Sequence, residues 1–380
     1  MDPSTVFCPT ELCPDKGRVS AGNIRIHSQK RRRYRCATCD KTFVETKGTP
    51  YYRVHKGAWL MTVVLVLLAH GCPPQAIVAA FGLNERTVAA WLHRAGTHCA
   101  ALHSHLVEGE QVAAGQVQAD EIRVKVRGGV VWQAMAMDVA SRLWLGGVVG
   151  RARDGALVTR LLERVRACVA TRAILLCVDG FAAYVGAARA VFREPVYTGT
   201  PGRPRLRLPD GFLLAQVVKS HKGRRLAAVT RRVVGGTEEA VARVIAATRG
   251  GTQINTSYIE RLNATFRAHL APLARRGRAL AHGPALVESG LWLVGCAYNV
   301  CWAHESLRLR AIDGRTWQER TPAMAAGLTD HPWTLEDVLR YPVPPRERTL
   351  TSKPRRGRRR DQGRLLPFPA RPAPPTGRAA

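Results

Sequence analysis

The segment QVQADEIRVKVRGGVVWQAMAMDVASRLWLGGVVG, residues 116–150, decides the fold of this chain. It contains three runs rich in apolar and β-branched residues, over 117–126, 130–140 and 142–150. The breaks between these runs, at Gly128 and Gly129 and at Ala140 and Ser141, are short enough for hairpins. The sequence therefore predicts three antiparallel strands in a meander.

A helix and a fourth strand follow the meander. From Asp154, DGALVTRLLERVRACVA has apolar residues at helical spacing, and AILLCVDGF, residues 173–181, is apolar on both faces, as a buried parallel strand is. Three antiparallel strands, a crossover helix and a strand parallel to the first have the order of a ribonuclease-H-like fold. We therefore predict the α/β fold class, with a ribonuclease-H-like mixed sheet in which parallel strands with helices follow the antiparallel ones.

Three acidic residues in this frame predict a metal site. Asp120 lies in the first strand, Asp179 ends the fourth, and Glu260 lies in INTSYIERLNATFRAHL, a predicted helix. In-line attack on a phosphodiester uses two metal ions about 4 Å apart, and carboxylates hold Mg²⁺ or Mn²⁺ well. We expect Asp120 to bridge two such ions, and Asp179 and Glu260 each to complete one coordination shell.

Each acid also has an ordinary interpretation. Asp120 can be a solvent-facing strand residue, Asp179 can form a turn before a glycine, and Glu260 can pair with an arginine on its own helix. Asp138 and Asp154 are rival acids, and Asp154 is a natural helix N-cap. The combination of acids, rather than any one position, favours the metal site.

Four cysteines near the N-terminus have the spacing of a zinc site. Cys8 and Cys13 are separated by four residues, Cys36 and Cys39 by two, and 22 residues lie between the pairs. Such pairs predict a structural Zn²⁺ in a zinc ribbon, with a β-hairpin over 17–36; reduced, unliganded thiols are the alternative. The other six cysteines are expected to be buried apolar residues. The basic residues that crowd the second pair, and are expected to contact DNA, are Lys30, Arg31, Arg32, Arg33 and Arg35.

Residues 71–96 have the pattern of a helix-turn-helix. A helix opened by two prolines ends at a turn over 82–84, and a second helix over 85–94 offers Arg86, Thr87 and Arg94 outward to DNA. An ordinary helical hairpin fits the same pattern. The histidines and cysteine that follow do not share one helical face as metal ligands do, so we expect them to be solvated; they are His98, Cys99, His103 and His105.

Charge indicates the class of partner. The chain has 380 residues, with 58 Lys and Arg against 28 Asp and Glu, a net charge of +30. Such an excess favours a polyanion, here double-stranded DNA. The sequence has no apolar run long enough for a membrane span and no signal peptide, so we expect the chain to stay inside the cell; a cytoplasmic or nucleoid-associated location in a prokaryote is what the family resemblance given below implies. Residues 346–380, which are rich in Pro and Arg, are predicted to be disordered.

The sequence divides into five predicted segments. They are a zinc ribbon over 1–50, a helix-turn-helix domain over 51–112, a catalytic domain over 113–310, a C-terminal helical segment over 311–345, and the basic tail over 346–380.

The chain resembles the DDE transposases of bacterial and archaeal insertion sequences that begin with a zinc ribbon. Three of its motifs carry the resemblance, namely DE at Asp120, VDGF..Y at Asp179, and IERLN at Glu260. The ribbon segment RYRCATCDKTF and the YN....H..L pattern from Tyr298 are similar to the family's as well. The segment 272–284 departs from the family, because related enzymes often carry a lysine-containing stretch there.

The resemblance implies an activity. A DDE transposase binds element ends and target DNA as a homodimer or higher oligomer, and water and then the freed 3′-hydroxyl attack phosphodiesters at one site. It also implies that Asn263 and Arg267 contact DNA. Two alternatives stay open: a domesticated DNA-binding protein or regulator with inert acids, and a ribonuclease-H-like nuclease without strand transfer. Basic residues that can follow the DNA backbone are Arg203, Arg205, Arg207, Lys219, Lys222, Arg224 and Arg225.

Overall fold

The computed structural model describes residues 1–197, 203–223, 225–274, 280–311 and 314–345. The predicted disorder of 346–380 and the DNA-tracking role of Arg224 lie outside the described residues, as does the middle of the segment 272–284. The strands are β1 Ile24–Ser28, β2 Arg33–Cys36, β3 Thr42–Val44, β4 Gln116–Val126, β5 Gly129–Asp138, β6 Trp144–Gly150, β7 Leu175–Asp179, β8 Glu194–Val196, β9 Arg205–Arg207, β10 Leu213–Lys222, β11 Arg225–Gly235, β12 Leu309–Arg310 and β13 Trp317–Gln318. The α-helices are α1 Ala58–Ala69, α2 Pro74–Phe81, α3 Glu85–His103, α4 Gly155–Cys168, α5 Ala183–Phe192, α6 Glu238–Ala247, α7 Ser257–His269, α8 Pro284–Cys296, α9 Pro322–Ala325 and α10 Leu335–Arg340.

The N-terminal sheet has its own small core. Strands β1, β2 and β3 pair antiparallel in that order, so the hairpin predicted between the cysteine pairs is confirmed. Ile24, Tyr34 and Phe43 are buried against the cysteines in a cluster separate from the main core. The segment buries only a small apolar cluster, which includes Cys8, Cys13 and Cys36.

Helices α2 and α3 are two helices joined by a short turn, as predicted for residues 71–96, an arrangement that both a helix-turn-helix and an ordinary helical hairpin have. Gly82, with φ of 58°, ends α2 in the left-handed conformation, and the side chain of Asn84 accepts a hydrogen bond from the N–H of Arg86 to begin α3. Helix α3 continues to His103, beyond the predicted end at Arg94.

The far end of α3 is buried because α8 packs along it. A Cβ atom on Gly96 would lie 2.5 Å from the Cα atom of Ser289, so the two helices approach closely there. The interpretation of the following histidines and Cys99 as solvated is wrong for His98, Cys99 and His103, which are buried. The rings of Trp144 and Trp292 flank His103, and burial lowers the pKa of His103 to about 3.

The central sheet is mixed and has six strands in the order β11-β10-β7-β4-β5-β6. The meander of β4, β5 and β6 is antiparallel, and β7 is parallel to β4, as predicted. Strand β10 then pairs parallel to β7 and antiparallel to β11. Helix α4 provides the predicted crossover, and the sheet and its helices make an α/β architecture.

Asp154 is the N-cap residue of the crossover helix α4. The side chain of Asp154 accepts a hydrogen bond of 2.9 Å from the N–H of Leu157.

Within the described part of the chain, no helix has both the length and the apolar character needed to cross a membrane.

Candidate metal centres

The four N-terminal cysteines form a cluster in the small sheet. Cys8 Sγ lies 3.6 Å from Cys39 Sγ, and Cys13 Sγ lies 3.8 Å from Cys36 Sγ. Tetrahedral Zn²⁺ with Zn–S bonds of about 2.3 Å requires sulfur atoms about 3.8 Å apart. A hydrogen bond from the N–H of Lys41 lowers the pKa of Cys39 to about 7. The cluster therefore fits a structural zinc ion.

The basic residues of the ribbon are mostly engaged within it. Arg32 pairs with Glu45 at 2.5 Å, Arg35 pairs with Asp40 at 2.5 Å, and Arg33 donates to the hydroxyl of Thr42 at 2.7 Å. Arg31 and Lys30 are exposed. The pair of Arg35 with Asp40 is exposed on both sides, whereas Glu45 in the pair with Arg32 is half-buried; exposed ion pairs contribute little to stability.

The helix-turn-helix residues are arranged differently from the prediction. Arg86 is exposed and Thr87 is half-buried. The prediction that Arg94 faces outward is wrong, because Arg94 is half-buried and donates a hydrogen bond to the carbonyl of Tyr52. It connects α3 to the segment after the ribbon.

The second centre lies where β7 ends beside β4. The parallel register pairs Gln118 with Cys177, so Asp120 and Asp179 come to adjacent places two residues further along each strand. Carboxylate oxygens of Asp120, Glu121 and Asp179 lie within 4.8 Å of one another. Oxygen ligands this close are what Mg²⁺ or Mn²⁺ needs.

Glu260 joins the same cavity from α7. The cavity has a volume of about 730 Å³. Arg267 also lines it, four residues beyond Asn263 on the helix. The carboxylate and cationic residues of the lining are Asp120, Arg153, Asp179, Lys219, Glu260 and Arg267.

A buried glutamine connects α7 to β4. The side-chain oxygen of Gln118 accepts hydrogen bonds from the N–H groups of Tyr258 and Ile259, both at 3.0 Å, and its nitrogen donates to the carbonyl of Asn255 at 2.8 Å. Gln118 thus caps the first turn of α7, where N–H groups lack helical partners. Because Gln118 precedes Asp120 by two residues on β4, this cap sets where Glu260 lies relative to Asp120.

The electrostatic environment of Asp120 is unusual. Burial, followed by the charges of Glu121, Asp179 and Glu260, raises the pKa of Asp120 to about 7. Asn263 is buried and donates from Nδ2 to Oδ2 of Asp120 at 2.7 Å. Like charges held this close disfavour the ionised form of Asp120, and a divalent ion bound there would favour it.

Two cationic side chains are paired with the acids. Arg153 donates to Glu121 at 2.8 Å and to Asp179 at 2.7 Å, and Lys219 donates to Glu260 at 2.6 Å. The side chain of Glu121 is 0% exposed, whereas those of Asp179 and Glu260 are 36% and 46% exposed. The pair at Glu121 is therefore interior, and the other two pairs can exchange with solvent.

The rival acids have structural roles. The carboxylate of Asp138 accepts hydrogen bonds from the N–H and hydroxyl of Ser141, at 2.8 and 2.6 Å, and burial raises the pKa of Asp138. Asp154 caps α4. Neither residue lines the cavity, and the interpretation of Asp154 as a helix N-cap is confirmed.

Sequence reasoning missed Gln118 and Arg153. Both contact partners that are distant along the chain, which a local pattern does not show. The available signal for Gln118 was its position two residues before Asp120 on the same strand, and the signal for Arg153 was its position directly before the N-cap residue Asp154.

Comparison with known proteins adds no relative. No protein-family model matches the chain, and no curated protein matches it. A functional assignment therefore depends on the geometry of the two centres.

Proposed function

We propose that this protein is a metal-dependent polynucleotidyl transferase that acts on double-stranded DNA, specifically a DDE transposase with a ribonuclease-H-like catalytic domain. One observation carries the proposal: Asp120, Asp179 and Glu260, from two adjacent strands and a helix, line a single open cavity. Two Mg²⁺ or Mn²⁺ ions held there would activate the attacking hydroxyl and stabilise the leaving oxygen of a phosphodiester.

The residues around the acids have separate tasks in this proposal. Asp120 would contribute to holding both ions, and Asp179 and Glu260 would each help to hold one. Asn263 orients the Asp120 carboxylate through its hydrogen bond. Lys219 and Arg267 line the cavity and carry the positive charge that a DNA phosphate needs.

The remaining segments supply DNA binding. We assign the zinc ribbon over 1–50 and the helix-turn-helix over 51–112 to recognition of the element ends, the segment 113–310 to catalysis, and 311–345 to support of the catalytic fold. Exposed Lys30, Arg31 and Arg86 are the candidate contacts. Two ends must be joined in one reaction, so the working form is a homodimer or a higher oligomer on DNA.

Cleavage of duplex DNA tests the proposal. The substrate carries the sequences that flank the gene, and the reaction contains Mg²⁺. Asp120→Asn, Asp179→Asn and Glu260→Gln should each lower the cleavage rate at least about 100-fold, because each removes one metal ligand worth several kcal/mol. Glu163→Gln, an exposed carboxylate on α4, is the matched control and should cleave normally. Cleavage that survives all three substitutions refutes the metal assignment.

The same assay separates the alternatives. Joining of the cut 3′-end to a second duplex distinguishes a transposase from a nuclease, which stops after cleavage. A protein that binds the duplex tightly and cuts none of it would be a DNA-binding protein with inert acids.

A further inference from the structure

Arg153 lies between one buried acid and one exposed acid. Its Nε and Nη2 atoms are both 2.8 Å from Oε2 of Glu121, and Nη2 is 2.7 Å from Oδ2 of Asp179. Arg153 lines the cavity and Glu121 does not. The guanidinium therefore separates Glu121 from the space that a metal ion and DNA would occupy.

The two ion pairs differ in how easily they are broken. Glu121 is 0% exposed, and removing the partner of a buried charge is strongly destabilising. Asp179 is 36% exposed, and its other oxygen, Oδ1, already accepts a hydrogen bond of 2.9 Å from the N–H of Phe181. Asp179 is thus open to a cation from the cavity while the guanidinium stays in place, whereas Glu121 is closed off from the cavity.

Aromatic rings hold the guanidinium in place. Arg153 Cζ lies 4.4 Å from the ring centroid of Phe181 and 5.6 Å from that of Trp132. Such contacts favour a flat, delocalised cation over an ammonium group. The buried side chain of Tyr184 also lies beside Glu121.

We propose that Glu121 is the buried anchor of Arg153 and not a metal ligand, and that Arg153 is the positioning residue that orients Asp179. The inference rests on the proposed metal site at Asp120 and Asp179. In the competing arrangement Glu121 binds the metal ion directly, because carboxylate oxygens of Glu121, Asp120 and Asp179 lie within 4.8 Å of one another.

Thermal unfolding without added divalent ions tests the anchor. Arg153→Met leaves the Glu121 charge buried and unpaired, so its midpoint temperature should fall clearly below that of wild type. The double variant Glu121→Gln/Arg153→Met removes both charges and should recover most of the loss. Losses that simply add in the double variant would refute the anchor.

Mn²⁺ affinity, measured by the EPR signal of the free ion, tests the positioning role. Arg153→Lys keeps the charge but loses the planar guanidinium that donates to both acids, so it should weaken Mn²⁺ binding about 10- to 100-fold. Its midpoint temperature is measured in parallel and should stay near that of wild type. Unchanged Mn²⁺ affinity in Arg153→Lys would refute positioning.

A crystal structure soaked in Mn²⁺ tests the ligand set directly. The anomalous signal should place ions in direct contact with Asp120 and Asp179 while Arg153 stays on Glu121. An ion bound directly to Glu121 overturns the proposal. Asp120→Asn distinguishes the two levels of failure: if this variant binds Mn²⁺ as wild type does, the metal site itself is wrong, whereas if only the Arg153 and Glu121 predictions fail, the metal site stands.

Discussion

Burial and the nearby acids disfavour the ionised form of Asp120 in the folded protein. Its pKa of about 7 means that the folded protein keeps the Asp120 proton between about pH 4 and pH 7, where an unfolded chain has released it. The folded state binds more protons over this window, so the contribution of Asp120 to stability falls as pH rises through it. A divalent ion would reverse this trend, because it replaces the proton.

The first prediction concerns this pH dependence. Asparagine imitates the protonated acid, so Asp120→Asn and wild type should have similar free energies of unfolding near pH 4.5. Between pH 4.5 and 7.5 the variant should become the more stable, by up to about 1.4 kcal/mol per pH unit. Urea unfolding without added Mg²⁺ measures the difference. Stability curves that stay parallel across this range would contradict the raised pKa.

At the level of elements, the placement of α7 depends on one side chain of β4. The hydrogen bonds of Gln118 to the first turn of α7 span 137 residues or more of sequence. They fix the helix that carries Glu260 to the strand that carries Asp120. Gln118 is 0% exposed, so no water can take its place at the helix end.

The second prediction removes this cap. Gln118→Met keeps the volume but leaves N–H groups of α7 unsatisfied, which should cost about 2–4 kcal/mol of stability. It should also lower the rate of DNA cleavage, because Glu260 moves with the helix. Gln133→Met is the matched control: Gln133 is equally buried on β5 and donates to the sulfur of Met135. If both variants cleave DNA equally well, Gln118 does not position the site.

The small sheet carries the four-cysteine cluster, and its core is separate from the main core. A zinc ion bound by the four thiolates would stabilise this sheet more than its small buried core does. We predict that a zinc chelator unfolds β1–β3 and leaves the central sheet intact. Limited trypsin digestion should then cut within 16–35, while the far-UV signal of the rest persists.

Two cysteine-to-serine variants, one inside the cluster and one outside it, provide the control for that experiment. Cys36→Ser should lose the bound zinc, and Cys72→Ser, which alters a half-buried cysteine outside the cluster, should keep it. A Cys36→Ser protein that retains one zinc ion and resists trypsin as wild type does would exclude a four-cysteine site.

The elements were predictable where local pattern decides them. The meander, the crossover helix, the parallel strand at Asp179 and the two helices α2 and α3 all follow from apolar periodicity and turn residues. Their contacts were not predictable in the same way. His103 is polar and near a helix end, which favours solvent, but Trp292 of α8, which is distant along the chain, packs against its ring. Arg94, Gln118 and Arg153 likewise contact partners that only the fold brings near.

At the scale of the whole molecule, the positive charge is unevenly placed around the cavity. Strand β7 ends at Asp179, opposite Val217 of β10. Beyond that point, among the described strands, β10 pairs with β11 alone. No acidic residue occurs between 211 and 237. The part of β10 and β11 that extends beyond β7 begins at the edge of the cavity. A two-stranded antiparallel pair of this kind has a width that fits the major groove of a DNA duplex.

The last prediction tests whether duplex DNA binds to the paired strands β10 and β11 or responds only to the total charge of the chain. Lys222 and Arg225 form a cross-strand pair, and both are exposed. Lys222→Ala/Arg225→Ala should weaken duplex binding and reduce the slope of log affinity against log salt by about 2, since each lost phosphate contact accounts for about 0.9. Arg189→Ala/Arg193→Ala removes the same charge from exposed positions at α5 and should leave that slope nearly unchanged. Equal losses in the two variants would mean that DNA responds to the net charge of +30 and not to the paired strands at the cavity.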